Sequence, residues 1–279
     1  MHWQTSRHLI DLSRPRVMGI VNVTPDSFSD GGRYASTRSA VAHCEQLIDE
    51  GAHILDIGGE SSRPGTLPVP MEEELARVLP VLREAVKLGI PVSVDTCKPE
   101  VMQQALQLGA DIINDIWALR RPGARDAVAA HPSCGVCLMH MHGEPQTMQR
   151  SPMEGDAVPQ VRAFLDQAAR ALIDAGVATA RIAWDPGIGF GKTVEQNFAL
   201  LARQDELLAG YPLVAGWSRK GSLGQVTGLP VNERLAPSLA AAVLAVERGA
   251  HVVRVHDVKE TIAALKVCAA MAAANNSKG

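Results

Sequence analysis

Residues 185–193 read DPGIGFGKT, with Gly191-Lys192-Thr193 closing a glycine-rich stretch that follows an apolar run ending in an acid. Glycines before a lysine and a hydroxyl are what a phosphate cradle uses, so nucleotide binding is the first chemistry to test. The register rules it out. A P-loop has four residues between its first glycine and the Gly-Lys pair, and Gly187 leaves only three before Gly191 because position 186 is proline. A dinucleotide fingerprint needs a glycine three places after Gly-x-Gly, whereas Gly191 follows Gly189 by two. What survives is Asp185 beside a backbone bare enough to pass close to a flat partner.

Other polar residues recur at similar places, each at or just beyond the end of a short apolar run. They are Asn22, Asp56 with the stretch 58–65, Asp95, Asn114-Asp115, Asp185, Ser218-Arg219-Lys220, and Arg254 with His256-Asp257. Taken singly each has a plain explanation, because Asp, Asn and Ser favour helix starts. Taken together, carboxylates and amides beside several bases suit a ligand that carries both a donor-rich ring and an anion. Arg254 and His256 are two apart on one strand and share a face, and burying such a pair is costly unless an anion meets it. Two other pairings carry less. Cys134 and Cys137 of CGVC fall in a strand, where a spacing of three sends them to opposite faces. His140 and His142 of HMH lack a third metal ligand nearby.

The elements that must position these residues alternate along the chain. Strands are expected at 17–23, 54–57, 92–94, 112–116, 136–139, 181–184, 213–216 and 252–255. Helical periodicity follows each, at 37–50, 71–88, 99–108, 123–130, 158–175, 194–209, 232–248 and 258–274. Strict alternation indicates a parallel sheet. Glycines 51, 89, 109, 176 and 249 each close a helix before the next strand. Such regularity over 279 residues favours an α/β fold of the (β/α)8 TIM-barrel type, one domain over 1–279, with 275–279 as a disordered tail. In a barrel the carboxyl ends of all the strands share one mouth, which gathers the polar residues above.

Bulk properties narrow the partners. Net charge is −3 and the 27 basic residues form no long run, so neither nucleic acid nor a membrane surface is indicated. The N-terminus lacks a secretory apolar stretch and no segment is long enough to span a bilayer, which points to the cytoplasm. Five cysteines, an odd number lying mostly in apolar segments, indicate reduced thiols.

Seven dispersed segments, NVTPDSFSDGG, DIGGESSRPG, VDT, IINDI, DPGIGFGKT, GWSRKGSLG and RVHDV, together resemble the dihydropteroate synthase family, in order from about residue 16 to residue 270. The resemblance implies condensation of a dihydropterin-methyl diphosphate with 4-aminobenzoate, assisted by Mg2+, in an enzyme that is typically a homodimer and is inhibited by sulfonamide-like mimics of the amine. It implies that Asp185, Asp95 and Asn114 grip the pterin ring between the apolar walls Ile116, Met139 and Phe190. Arg63, Lys220, Arg254 and His256 are the expected catalytic residues, with Ser61 and Ser62 adding donors to the diphosphate and Asn22 a carboxamide oxygen to Mg2+. 4-Aminobenzoate is expected beside Lys220 and Ser218, under Phe28 and Pro64. An aromatic amine is neutral at pH 7 and needs no strong base, so the lack of a Ser-His-Asp or Cys-His arrangement is consistent. Trp217 and Gly221 depart from the family pattern, Trp217 either narrowing the mouth or filling core, and Gly221 loosening the backbone just after Lys220 and so bearing on its pose. Two rivals remain: a methyltetrahydrofolate-dependent methyltransferase, which has no need of these bases for a leaving diphosphate, and a silent pterin-binding paralogue, which has no need to keep the catalytic set.

Overall fold

A computed structural model describes residues 1–24, 32–61 and 65–276. Eight strands lie side by side and parallel: β3 (Arg16–Asn22), β4 (Ile54–Gly58), β5 (Val92–Asp95), β6 (Ile112–Asp115), β7 (Gly135–Met139), β8 (Ile182–Asp185), β9 (Val214–Ala215) and β10 (Val252–Val255). Their order in the sheet is β8-β7-β6-β5-β4-β3-β10-β9. A single bridge, Trp184 to Leu213, joins the two ends, with the Trp184 amide donating to the Pro212 carbonyl over 2.8 Å. The result is a single-domain (β/α)8 TIM barrel, as the alternation predicts. Buried on both faces, the strands read as continuous apolar runs rather than alternating ones; all five residues of β4 are buried.

The helices are α1 (Gly32–Asp49), α2 (Met71–Ala85), α3 (Pro99–Gln107), α4 (Ala124–Ala129), α5 (Ala157–Asp174), α6 (Val194–Ala202), α7 (Gly221–Thr227), α8 (Leu235–Glu247) and α9 (Val258–Asn276). The five glycines read as helix stops all have positive φ, between 83° and 101°. Three differences from the sequence reading stand out. The periodic stretch 194–209 breaks into α6 and a 3-10 turn at Gln204–Leu207. The short α7 lies between β9 and α8 where no helix is expected. The last helix continues to Asn276, so Asn275 and Asn276 are helical although the sequence places them in the tail.

A further element closes the bottom of the barrel. β1 (His2–Gln4) and β2 (Leu9–Asp11) form an antiparallel hairpin. Trp3 is fully buried and packs in one cluster with Ile10, Leu12 and the inward residues Met18, Ile54, Ile112, Cys137, Ala183, Val214 and Val252. Its indole N–H donates to the Arg181 carbonyl over 2.9 Å. The amino end of the barrel is thereby plugged, which leaves the opposite end for chemistry. Cys137 belongs to this inner cluster and Cys134 to the outer layer between strands and helices, so the two face apart and neither forms a disulfide.

Candidate active site

Parallel register puts residues of one face in layers. Asp95 lies beside Gly58 and Asn114, and Asp185 beside Met139. These side chains, with Arg254, point inward at the carboxyl ends of their strands and open on one cavity of about 970 Å3. Every described residue that the resemblance assigns to a substrate or to Mg2+ lines it: Asn22 and Ser61; Asp95, Asn114 and Asp185; Ile116, Met139 and Phe190; Ser218, Lys220, Arg254 and His256. Asp56, Asp115 and Asp257, which the sequence also gathers at the mouth, are not among its lining residues. Phe28, Ser62, Arg63 and Pro64 lie outside the described residues.

The acids differ in how they are held. Asp185 is 5 % exposed, and its Oδ1 accepts the Gly187 N–H at 2.7 Å. Burial raises its pKa against the pull of that hydrogen bond and of Lys220, Arg254 and Lys192. Asp95 is pushed up to about 7, by burial first and by the neighbouring carboxylates Asp56, Glu74 and Asp115, with Arg254 opposing. Asp115 faces away from the cavity and caps the next turn, accepting the N–H groups of Trp117 at 2.8 Å and Leu119 at 2.7 Å.

The bases are also constrained. The Arg254 guanidinium donates from Nε to Asp56 Oδ2 at 2.6 Å and from Nη2 to Asp95 Oδ2 at 2.7 Å. Burial works against its charge, and Asp56 and Asp95 more than offset this, so its pKa lies above the ordinary value. The cost of burying Arg254, read from sequence as requiring a ligand anion, is thus met by two protein carboxylates. The Ser218 hydroxyl bridges two atoms of His256, accepting its backbone N–H at 3.1 Å and sharing a hydrogen bond with Nδ1 at 3.0 Å. The Lys220 ammonium sits 4.3 Å from the centre of the Phe190 ring. Burial, reinforced by Arg254 and resisted by Asp185 and Asp95, lowers its pKa to about 8. Arg219, next to it, turns outward and pairs with Asp257.

The loop 185–193 has a purpose that its sequence hides. Lys192 is 3 % exposed, and its ammonium donates to the carbonyls of Gly187 at 2.9 Å and Phe190 at 3.1 Å while lying 2.8 Å from His140 Nδ1. Burial lowers its pKa to about 7, and burial together with the nearby cations drives His140 down to about 2, so the imidazole is neutral and accepts. A lysine in phosphate-loop dress is therefore a clasp that folds the loop onto itself and onto His140, just past the end of β7. Gly187 and Gly191 have positive φ, and a Cβ on them would come within 1.8 Å of the His140 carbonyl oxygen and 2.1 Å of that of His142. The close neighbour of these two glycines is the adjoining chain, where the sequence reading put a flat ligand. Gly189 also has positive φ, and its amide donates to Asn197 Oδ1 at 2.7 Å.

Sequence reasoning misses a buried charge cluster under the loop that follows β4. Lys98, at the start of α3, pairs with both Glu60 of that loop and Glu74 of α2. Glu60 Oε2 also accepts the Val69 N–H at 3.1 Å, and Arg77 donates to the Gly59 carbonyl at 2.7 Å, so both ends of the loop are anchored. Residues far apart in the chain supply these contacts, and no spacing rule marks them. Trp217 packs on Phe198 in the outer core, ring centres 5.3 Å apart, so it fills core and does not narrow the mouth.

A barrel whose mouth gathers carboxylates, an amide and cations around one cavity defines a class suited to a polar ring bearing an anion. The family model of the pterin binding enzymes matches residues 18–256, and the chain belongs to that family. Within it, the chain is 50% identical over 272 residues to the dihydropteroate synthase of Escherichia coli K12, covering 96% of each. Burkholderia cenocepacia dihydropteroate synthase, solved in complex with 7,8-dihydropteroate, superposes with a TM-score of 0.91 at 51% identity over 99% of this chain and 98% of that one. The Xanthomonas albilineans dihydropteroate synthase, solved with 4-aminobenzoic acid, gives 0.92 at 48% identity over 98% of this chain and 99% of that one.

Proposed function

We propose that the protein is a transferase of folate biosynthesis that joins a (7,8-dihydropterin-6-yl)methyl diphosphate to 4-aminobenzoate, giving 7,8-dihydropteroate and diphosphate. The observation that carries this reading is the convergence of Asp95, Asn114 and Asp185 with Lys220, Arg254 and His256 on one cavity. Asp185 accepts from the amino-pyrimidine edge of the pterin, where charge-assisted bonds contribute roughly 1.5–3 kcal/mol each. Asp95 and Asn114 meet the remaining ring nitrogens, and Ile116, Met139 and Phe190 enclose the ring. The C–O bond to the diphosphate breaks with its electron pair on the leaving oxygen, the amine nitrogen bonds to the methylene carbon, and the amine gives up a proton. Cations that hold the departing oxygens more tightly than the ground state accelerate the step. Arg63, Arg254 and His256 take this role, with Ser61 and Ser62 as further donors. Lys220 and Ser218 receive 4-aminobenzoate, and Phe28 and Pro64 close over it.

Mg2+ fits the donor set in one way. Asn22 offers a single carboxamide at the cavity, and among the described residues no group of three acids, histidines or cysteines could hold a metal. A cation that keeps its waters and binds chiefly through phosphate oxygens needs no more than that. When bound it neutralises charge growing on the diphosphate. We propose further that the protein works in the cytoplasm as a homodimer; among the described residues no helix is long and apolar enough to cross a membrane. The deciding assay mixes protein, Mg2+, the dihydropterin diphosphate and 4-aminobenzoate. Diphosphate release that depends on the amine is expected, and folded protein giving no release defeats the reading.

A further inference from the structure

Asp56 is fully buried, one inward position below the rim on β4. A single oxygen, Oδ2, accepts both Arg254 Nε at 2.6 Å and Asn114 Nδ2 at 3.2 Å. Its Oδ1 is buried with no protein donor among the described residues. An amide has two unlike ends, one donating and one accepting. An oxygen that already accepts from Arg254 can be met only by the NH2 of Asn114, so Asn114 turns its carbonyl oxygen towards the cavity it lines. Arg254, with Nε and Nη2 engaged by Asp56 and Asp95, keeps only Nη1 clear of both acids.

We propose that Asp56 is a positioning residue for the reaction: it fixes Asn114 with an acceptor facing the pterin and holds Arg254 by its Nε edge. The proposal rests on the function given above, since only a ring with donors on that side rewards this orientation. A reversed amide would offer the ring a donor where it needs an acceptor.

The test uses a 7,8-dihydropterin with a 6-hydroxymethyl group, which has no diphosphate and so isolates the Asn114 route. Its binding is measured by calorimetry for wild type, Asp56→Ala, Asn114→Ala and the double variant. Each single substitution is expected to weaken binding about tenfold or more, and the double variant should bind no worse than Asn114→Ala within about twofold. Losses that multiply, or an Asp56→Ala protein that binds like wild type, overturn the proposal. Asp56→Asn serves even where Asp56→Ala does not fold, because Arg254 Nε draws its amide oxygen into the Oδ2 place. That variant should keep most of the binding, and a loss as large as that of Asn114→Ala overturns the proposal. Wild type that does not bind the pterin counts against the proposed function alone. The positioning claim then stands on solvent exchange of the Asn114 side-chain amide, measured by nuclear magnetic resonance. Faster exchange in Asp56→Ala, or a smaller rise in Asp56→Asn, whose amide oxygen occupies the same place as a weaker acceptor, supports it, and unchanged exchange in both overturns it.

Discussion

At Asp185, burial and hydrogen bonding pull in opposite directions, and burial wins, so the carboxyl carries a cost in the ligand-free protein. Asp185→Asn removes that cost and keeps an acceptor for Gly187. Melting temperature should stay within a few degrees, while the dissociation constant of the pterin substrate rises roughly tenfold to a hundredfold, the worth of about 1.5–3 kcal/mol. A large loss of melting temperature with normal binding would assign Asp185 a structural role. Lys220 gives a pH signature. Its pKa is lowered to about 8, so the ammonium is present below that pH and is lost as pH rises through it. The pH profile of kcat/KM, which reports the free enzyme, should show an alkaline limb near that value. In Lys220→Arg, whose guanidinium stays charged, the limb should move upward by at least about one unit; an unmoved limb assigns it to another group. The rim residues are legible in sequence because parallel barrels put chemistry at strand ends. The clamp of Asp56 on Arg254 is not, since the two are 198 residues apart and meet only when the barrel closes.

The elements show where periodicity stops helping. A seven-residue helix such as α7, with Gly221 at its start and Gly224 inside it, presents too little pattern to detect. Gly224 is there for space: a Cβ would fall 2.1 Å from the Arg234 guanidinium, which donates to the Leu229 carbonyl at 3.0 Å. The loop 185–193 teaches the same lesson in reverse. Its spacing argues against a nucleotide, but the carbonyls that require its glycines, those of His140 and His142, belong to the segment that follows β7, 47 and 49 residues earlier in the chain and beyond the reach of local pattern. Gly187→Ala combines a positive φ with a clash against backbone. Strain of about 1–3 kcal/mol from the dihedral alone sets a floor, so urea unfolding should reveal a loss of at least about 2 kcal/mol. Pterin binding should fall with it, because Gly187 N–H orients Asp185. Unchanged stability would mean that the loop rests on His140 less firmly than its clasp implies.

For the whole molecule, the amino-terminal hairpin divides labour between the two ends of the barrel. Trp3 fills the bottom, and the cavity lined by Asp95, Asp185 and Arg254 opens at the top. Trp3→Ala should cost about 3–5 kcal/mol in denaturant unfolding, the range for deleting a buried large aromatic. Below the unfolding transition, kcat should remain within about twofold of wild type, a change of less than ~0.5 kcal/mol in barrier. A matching collapse of turnover would show that the plug governs the mouth. The eight-strand alternation makes the barrel readable from sequence, whereas the hairpin strands are only three residues each and fall below the length at which alternation can be recognised.

Where β8 meets β9 the lacing shrinks to one bridge, padded on the outside by Trp184 stacked on Tyr211 with ring centres 4.5 Å apart. Asp185 ends one of these staves, and Ser218 and Lys220 follow the other. On the function proposed above, the grip on the heterocycle and the doorway of its amine partner straddle the least-stitched joint in the wall. Few backbone bonds need give for that gap to widen while the other staves remain laced.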